Sequence, residues 1–350
     1  MNVMEMNKHL VNEDVPLRLA LEQLNRVPDS LTLFVKNQEE QIVGTLTDGD
    51  VRRGLLEGFT LEDAVGKFMF HAFSFLNESS FTLAEVDRIR ERRIKLLPVL
   101  DDTRKIVRLA DMSRLRSLLP LEVVLMAGGR GERLRPLTDN TPKPLLKVGD
   151  KPIIAHTIDH LRSFGITRFH IALNYKGEMI RDYFKDGSER EINISYLNET
   201  APLGTLGATR LIQDFSFPTV LVMNADILTN IDVEDFYRDF IQQEADMSVA
   251  SVPYKVNMPF AVLETSQSRV ISFQEKPQFT YYTNGGIYLL RPELISRIEP
   301  GQAYQATDLM DNLLARNEKL IQYPLHGVWM DIGRKEDFDK AQEEIKHLKF

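Results

Sequence analysis

Residues 123–154 read VVLMAGGRGERLRPLTDNTPKPLLKVGDKPII, and this stretch decides the fold. Its first four residues are apolar and predict a buried parallel strand that stops at a glycine turn. Gly128, Gly129 and Gly131 allow positive φ and a close approach of the backbone, so their amide groups can converge on phosphate oxygens. Four basic side chains crowd the same stretch, namely Arg130, Arg133, Arg135 and Lys143. The stretch therefore predicts a triphosphate site at the end of a strand.

Two common nucleotide-binding motifs do not fit this stretch. The third glycine of the dinucleotide fingerprint is missing, and the Gly-Lys-Ser/Thr of a Walker loop is absent. The whole string instead closely resembles the signature of the sugar-1-phosphate nucleotidyltransferases, also called nucleotide-sugar pyrophosphorylases, in which GGxGxRLxPLT is followed by PKPLL and KPII. The resemblance implies transfer of a nucleotidyl group from a nucleoside triphosphate to a sugar 1-phosphate, with release of pyrophosphate. It also implies that nucleotide contacts come from Ala127, Gly128, Gly129 and Gly131, and catalytic charge from Arg133 and Lys143.

The chain beyond residue 118 reads as alternating strands and helices. This pattern predicts an α/β fold with a Rossmann-like, mostly parallel sheet covered by helices, and a ligand at the carboxyl ends of its strands. The candidate strands after the glycine loop are Arg168–Leu173, Ile192–Leu197, Thr219–Met223, Met247–Pro253, Val270–Gln274 and Gly286–Leu290. A charged stretch predicted to be helical, Asp111–Leu119, meets Pro120 just before the first strand. We therefore predict two domains, 1–118 and 119–350.

The first 118 residues carry a weak internal repeat. Residues 31–56, LTLFVKNQEEQIVGTLTDGDVRRGLL, are echoed by residues 97–119, LPVLDDTRKIVRLADMSRLRSLL. Each copy reads as strand, turn, strand and helix, and each follows a helical segment, Val15–Arg26 or Leu83–Ile94. Two such copies suggest pseudo-twofold packing.

The first copy strongly resembles the CBS domain, so residues 1–118 are expected to form a tandem CBS module of α+β type that regulates or dimerises. Thr47, Asp48 and Asp50 match the positions where that family's Thr and Asp hold the ribose of an adenosine ligand. The second copy has Ala110-Asp111-Met112 instead, so we expect one site per chain or none. Aspartate is also a good helix N-cap without any ligand, so capping alone competes with nucleotide sensing.

Glu199 follows a predicted strand in the string NETAPLGTLG, residues 198–207. Gly204 and Gly207 permit close approach of a flat base. Glu199 matches the position that reads the base edge in the resembled family. A carboxylate only accepts hydrogen bonds, and guanine offers adjacent N1–H and N2–H donors, whereas uracil and thymine offer one donor. This favours GTP over the pyrimidine nucleotides, the alternative for Glu199 being a solvated loop carboxylate.

Two aspartates follow apolar runs, Asp226 in VMNAD and Asp331 in WMDIG. An acid at the end of a central strand can reach a phosphate-bound Mg²⁺, which takes hard oxygen ligands and commonly only one or two carboxylates. Either residue alone is more often a helix cap. The two match the metal-binding aspartates of the resembled family, and Mg²⁺ is the expected cofactor.

A last group is FQEKP, residues 273–277, followed by TNGGIY, residues 283–288. Here the resemblance implies that Lys276 binds the phosphate of the incoming sugar and that Glu275 accepts sugar hydroxyls. Asn284 and Gly285 are expected to close the sugar pocket. An exposed Glu-Lys pair with no ligand is the competing interpretation.

Composition limits the other classes of function. The 43 basic and 51 acidic residues give a net charge of −8, and no Lys/Arg run resembles a nucleic-acid surface. There is no cysteine, which excludes a thiolate nucleophile and a cysteine zinc site. No signal pattern or membrane span is evident, so a cytoplasmic enzyme, forming a homo-oligomer and binding neither nucleic acid nor membrane, is expected.

Three specific functions remain open at this point. A CBS pair ahead of this transferase resembles, in architecture, the guanylyltransferases that make GDP-glucosamine from GTP and glucosamine 1-phosphate for bacterial nonulosonic acids such as legionaminic acid. A mannose-1-phosphate guanylyltransferase, or another NDP-sugar pyrophosphorylase, is the nearest alternative. The third is a weakly active regulatory subunit that senses adenosine nucleotides, against which the intact set of charged residues argues.

Overall fold

The computed structural model describes residues 6–346. The chain forms two compact units. One runs to Leu121 and takes in Leu161–Arg168 and Asp186–Asn193, and the other comprises Glu122–His160, Phe169–Lys185 and the chain from Ile194 onward.

The first unit contains the same small arrangement twice. Its elements are β1 (Leu10–Asn12), α1 (Leu17–Leu24), β2 (Thr32–Lys36), β3 (Ile42–Thr47), α2 (Asp48–Leu56), β4 (Leu76–Asn77), α3 (Leu83–Glu91), β5 (Leu96–Leu100) and β6 (Ile106–Asp111). In both copies the first strand pairs in parallel with the second, and the second pairs antiparallel with the third. An antiparallel bridge joins Gln41 to Lys105, the residues just before β3 and β6. Contact between equivalent positions is what pseudo-twofold packing requires, so the predicted repeat is confirmed for the strands and for the helix that precedes them in each copy.

The predicted helix over Asp111–Leu119 is wrong. Asp111 Oδ1 accepts hydrogen bonds from the Ser113 amide at 3.0 Å and from its hydroxyl at 2.5 Å, which closes a turn. Such side-chain bonds compete with helix formation. The amide of Arg116 then donates to the Ser163 carbonyl at 2.6 Å and that of Leu119 to the Phe164 carbonyl at 3.1 Å. These donors are used outside any helix, so the second copy lacks the counterpart of α2.

The second unit is built on a seven-stranded sheet. Its strands and those of the smaller pairs are β7 (Glu122–Met126), β8 (Lys147–Val148), β9 (Lys151–Pro152), β10 (Arg168–Leu173), β11 (Asn193–Asn198), β12 (Val220–Asn224), β13 (Ile227–Thr229), β14 (Met247–Asn257), β15 (Val262–Ser266), β16 (Arg269–Gln274), β17 (Gln278–Leu290), β18 (Leu320–Pro324) and β19 (Trp329–Asp331). Its helices are α4 (Ile153–Arg162), α5 (Gly177–Phe184), α6 (Gly204–Gly207), α7 (Val233–Gln242), α8 (Pro292–Ile295), α9 (Ala306–Ala315) and α10 (Lys335–Glu344).

The central sheet has the order β11-β10-β7-β12-β17-β14-β18. The pairs β10–β7, β7–β12 and β14–β18 are parallel, and β17 runs antiparallel to both of its neighbours. The mostly parallel α/β sheet expected from the sequence is therefore confirmed. Val124 of β7, Val222 of β12 and Leu290 of β17 share one buried core with Leu294 of α8 and Leu309 of α9. Burial of this apolar surface holds the strands together, so their ends form a fixed edge.

Two strands continue well beyond the central sheet. β14 and β17 remain paired from Ser251 opposite Asn284 to Asn257 opposite Gln278. The predicted strand Val270–Gln274 lies within β16, but it pairs with β15 alone and not with the central sheet. We call residues 253–283, which comprise this extension and the β15–β16 hairpin, the β arm.

Candidate active site

The glycine loop after β7 is folded back onto the segment that carries Lys143. Gly131 has a φ of 64°, and a Cβ there would lie 2.9 Å from Thr138 Cγ2 and 3.1 Å from Lys143 Cβ. The Thr138 hydroxyl donates to the Gly131 carbonyl at 2.9 Å. Glycine is therefore required at this turn on two grounds, the positive φ and the lack of room. The turn therefore packs directly against Lys143.

Glu199 lies beside this loop. A Cβ on Gly128 would be 3.1 Å from Glu199 Oε1, and Oε2 accepts a hydrogen bond from the Leu203 amide at 3.1 Å. Burial raises the pKa of Glu199, and the bond from Leu203 partly offsets that rise. One carboxylate oxygen is thus held by the chain, and the other faces the expected nucleotide loop.

Asp226 and Asp331 meet at the end of β12. β13 pairs antiparallel with β19, so Ile227 lies opposite Asp331, and the Ile332 amide donates to the Asp226 carbonyl at 3.2 Å. The Lys143 ammonium donates to Asp226 Oδ2 and lies 3.7 Å from Asp331 Oδ1. Burial raises the pKa of Asp331, and the neighbouring Asp226 carboxylate raises it further. Three residues expected in the site from separate motifs are brought together.

The aspartate pair fits a magnesium ion shared with a bound phosphate. Both carboxylates supply hard oxygen donors, and their mutual repulsion favours a cation between them. Within residues 6–346 no cluster of three or more His, Asp or Glu side chains has metal-binding geometry. A site with two protein carboxylates is the kind that Mg²⁺ occupies when phosphates complete its coordination.

The segment around Asn284 and Gly285 reaches the same end of the sheet. The Trp329 indole N–H donates to the Gly285 carbonyl at 2.8 Å, which ties β17 to the strand that carries Asp331. Asn284 Oδ1 accepts from the Gly286 amide at 2.9 Å. A Cβ on Gly285 would lie 2.6 Å from the Ala250 carbonyl oxygen, so glycine is needed here for packing between strands.

Other expected site residues are not joined to this cluster. Arg133, Glu275 and Lys276 are exposed, and in the described part of the chain none of them forms a hydrogen bond or ion pair with Lys143 or the two aspartates. Gly129 has open space where a Cβ would be.

The three arginines of the glycine loop differ in their neighbours. Arg130 lies 3.9 Å from Glu132, and Arg135 lies 3.5 Å from Asp139. Among the described residues Arg133 has no acidic partner. Of the three, Arg133 is therefore the one without an ion pair in the described part of the chain.

The packing of the chain explains why positions 204 and 207 are glycine. Its φ is 75°, and a Cβ would lie 2.6 Å from Gln305 Nε2 and 2.8 Å from the Tyr304 carbonyl oxygen. A Cβ on Gly207 would lie 2.7 Å from the Gln302 carbonyl oxygen. Packing against the segment before α9 therefore accounts for both glycines without a base.

In the first unit, Thr47 and Asp50 form a capping box at the start of α2. The Thr47 amide and hydroxyl donate to Asp50 Oδ2 at 2.8 and 2.5 Å, and Arg53 donates to Asp50 Oδ1. Asp50 is buried and Asp48 is exposed. Thr47 and Asp50 thus cap α2, and of the two carboxylates, that of Asp48 forms no hydrogen bond or ion pair within the described residues.

Sequence reasoning missed two residues that shape the site. Asn174 Cβ lies 3.1 Å from the Cβ position of Gly128, and its side-chain amide donates to the Glu199 carbonyl at 3.3 Å. Asn174 directly follows β10, so the rule that ligands sit at strand ends was the signal that could have found it. Trp329 lies two residues before Asp331 in the string WMDIG, but nothing in the sequence indicates its bond to Gly285.

Comparison with known proteins identifies the family of this chain. Residues 122–347 match the family described as nucleotidyl transferase. The chain belongs to this family. The matched range contains the glycine loop, Glu199 and both aspartates. Of the helices within residues 6–346, none combines the length and apolar character needed to cross a membrane.

Individual relatives agree with this assignment. Mannose-1-phosphate guanylyltransferase 1 of Arabidopsis thaliana is 33% identical over 227 residues, which are 62% of this chain and 63% of that protein. Mannose-1-phosphate guanyltransferase of Schizosaccharomyces pombe is 31% identical over 227 residues, with 62% of each chain covered. The match thus spans about 63% of the first relative's length. The crystal structure of HddC from Yersinia pseudotuberculosis is similar with a TM-score of 0.51 and 25% identity, covering 64% of this chain and 99% of that one.

Proposed function

We propose that this chain transfers a nucleotidyl group from a nucleoside triphosphate to a sugar 1-phosphate and releases pyrophosphate. The observation that carries the proposal is the meeting of Lys143, Asp226 and Asp331 at the edge where the glycine loop and Glu199 also lie. Family membership and the two guanylyltransferase relatives support the same reaction class.

The reaction needs positioning and charge neutralisation, with no protein nucleophile. An oxygen of the sugar phosphate attacks the α-phosphorus in line, the bond to the β-phosphate oxygen breaks, and pyrophosphate leaves. Arg133 and Lys143 would hold the triphosphate and stabilise its departing half, and Lys276 would hold the attacking phosphate. A magnesium ion held by Asp226 and Asp331 would neutralise the phosphate charges.

GTP is the proposed nucleotide. Glu199 Oε2 is fixed by the Leu203 amide, and Oε1, which lies against Gly128, is left to accept from the guanine N1–H and N2–H donors. The names of the curated relatives also favour a guanylyl donor.

For the acceptor, we propose first a class of sugar phosphate and then two specific candidates. A hexose 1-phosphate follows from the family, and mannose 1-phosphate is supported by the relatives' names. The repeated arrangement of the first unit, which resembles a CBS pair, favours glucosamine 1-phosphate and a role in legionaminic acid synthesis. Glu275, Asn284 and Gly285 would contact the sugar in either case.

A test combines substrates with matched loop variants. The purified chain with Mg²⁺ is assayed for pyrophosphate release with each nucleoside triphosphate against mannose, glucosamine, glucose and galactose 1-phosphates. We expect release only when both substrates are present, and the fastest release with GTP. No release with any pair would leave the regulatory-subunit alternative.

Arg133→Ala should lower kcat by about a hundredfold, because its charge acts on the developing negative charge of the phosphates. Arg130→Ala is the matched control, since this arginine of the same loop lies near Glu132. We expect it to change turnover little. Equal losses in the two variants would contradict the assignment of Arg133.

A further inference from the structure

Asn224 ends β12 with a side-chain amide that the chain itself does not use. The residue is half-buried, and no other residue of the described chain forms a hydrogen bond with its Oδ1 or Nδ2 atom. The amide therefore keeps one acceptor and two donors. Polar groups withdrawn from water normally have a partner in the folded protein. For Asn224, water or a ligand has to supply that partner.

The other asparagines around the candidate site are held by backbone groups. The Asn174 amide donates to a carbonyl at 3.3 Å, and the Oδ1 atoms of Asn230 and Asn284 accept from amides at 2.8 and 2.9 Å. Each of these bonds fixes the end of a strand or the loop that follows it. Asn224 forms no such bond, so its amide is available for binding.

The position of Asn224 in the sheet indicates what it can reach. It lies two residues before Asp226, one of the two expected ligands of the magnesium ion. On its other side β12 pairs with β17, and a Cβ on Gly286 would lie 2.8 Å from Asn224 Nδ2. Gly286 directly follows Asn284 and Gly285, which are expected to close the sugar pocket. The amide thus lies between the proposed phosphate site and the proposed sugar pocket.

The order of the strands separates the two substrates. Glu199 follows β11 and Asn174 follows β10, and both strands lie across β7 from β12. The base of the nucleotide is therefore expected on the β10 side of the glycine loop. A ligand group between the ends of β12 and β17 belongs to the other substrate, the sugar 1-phosphate.

Few of the residues first expected in the sugar pocket have polar atoms left for a sugar. The Gly285 carbonyl accepts from Trp329 at 2.8 Å, and Asn284 Oδ1 accepts from the Gly286 amide. Glu275, the other expected sugar residue, is exposed and lies on the β arm. The Asn224 amide is unused and lies at the end of the central sheet, where buried strands fix its position.

We propose that Asn224 binds a hydroxyl group of the acceptor sugar and is a specificity-determining residue of the transfer. A hydroxyl both donates and accepts, and so does a carboxamide, so the two groups match. This role rests on the proposed function, because it assumes that a sugar 1-phosphate is the acceptor. It adds a residue to the sugar pocket that no motif of the sequence indicated.

The first test compares the two Michaelis constants in Asn224→Ala. The KM for the sugar 1-phosphate should rise about tenfold while the KM for GTP stays nearly unchanged, because one hydrogen bond to the sugar is lost. Asn193→Ala, at the exposed first residue of β11, is the matched control and should change neither constant. Circular dichroism checks folding, and Asn224→Ser replaces the alanine variant if that variant does not fold. An equal rise in both constants, or no rise in either, would overturn the proposal.

The second test identifies the hydroxyl. Analogues of the best acceptor, each lacking one ring hydroxyl, are assayed by pyrophosphate release with the wild type and with Asn224→Ala. For one analogue the wild type should lose about tenfold in kcat/KM and the variant should lose almost nothing, because its partner for that hydroxyl is already gone. If the variant shows the same losses as the wild type for every analogue, Asn224 does not bind the sugar. A wild type that releases no pyrophosphate with any substrate pair would instead overturn the proposed function, and this role with it.

Discussion

At the scale of single residues, Glu199 carries the proposed choice of base. In Glu199→Gln, the amide oxygen can keep the bond from the Leu203 amide, and the NH₂ group then faces a guanine that offers only donors at that edge. We expect kcat/KM for GTP to fall by roughly tenfold to a hundredfold, while that for UTP or dTTP changes less. Steady-state kinetics with the three nucleotides measures this change in preference.

The pH dependence of the KM for GTP provides a control for this assignment of Glu199. Burial raises the pKa of Glu199, so its carboxylate is lost at a higher pH than that of an ordinary glutamate as the solution is acidified. In the wild type, the KM for GTP should therefore rise as pH falls through this raised pKa. The Gln variant cannot titrate there, so the ratio of its KM to that of the wild type should shrink at low pH. A constant ratio would remove Glu199 from base recognition.

At the scale of elements, one hydrogen bond ties the strand of Asp331 to that of Gly285. Trp329→Phe keeps an aromatic ring in place but removes the N–H that donates to the Gly285 carbonyl. The loss of one such bond, about 1 kcal/mol, should raise the KM for the sugar 1-phosphate about fivefold and leave the KM for the nucleotide nearly unchanged. Initial-rate kinetics with each substrate varied in turn measures the two constants.

A structural role alone would give a different result. Trp329→Phe would then lower the thermal unfolding midpoint and raise both KM values or neither. Because Trp329 is the single tryptophan of the chain, wild-type fluorescence supplies a second measurement. Addition of a sugar 1-phosphate should change its emission, and an emission unaffected by every sugar phosphate would count against its placement at the sugar pocket.

The observed strands and helices also show which elements could be predicted from the sequence. β7, β10 and β12 agree with the predicted strands within a residue at each end, because continuous apolar runs can only be buried in a central sheet. The far end of β14 was missed because its residues are not buried within the protomer. The error at Asp111–Leu119 arose because charge and spacing suited a helix, while Asp111 closes a turn with Ser113 instead.

Some residues of the candidate site could likewise be predicted from the sequence, and others could not. Glu199 and Asp226 follow strands, so the rule that ligands sit at the carboxyl ends of strands predicted that both would lie near the glycine loop. Trp329 and Asn174 act through contacts set by the packing of distant segments, for which a single sequence holds no signal. The roles of Arg133 and Lys276 remain predictions, since both side chains are exposed.

At the scale of the whole molecule, the open question is whether the repeated first unit binds a ligand or only packs. The amide of Thr47 donates to Asp50 in the same way as that of Thr82 donates to Glu85, each at 2.8 Å and each at the start of a helix. The two threonines are thus matched helix caps, and only Thr47 lies in the motif that resembles an adenosine-binding site. After β6 no helix begins among residues 112–121, so the second copy offers no equivalent of α2 to a ligand.

We therefore expect Thr47→Ala and Thr82→Ala each to cost about 1 kcal/mol of stability, measured by chemical denaturation, because each removes a cap. Calorimetric titration of the full chain with ATP, ADP and AMP should find at most one site per chain, and that site should be weakened by Thr47→Ala and unaffected by Thr82→Ala. If that nucleotide also changes the affinity for GTP, GTP must change its affinity by the same factor, because coupling between two binding sites is reciprocal. Two sites per chain, or equal weakening by both substitutions, would contradict the single-site expectation. Absence of binding would assign Thr47 and Asp50 to capping alone.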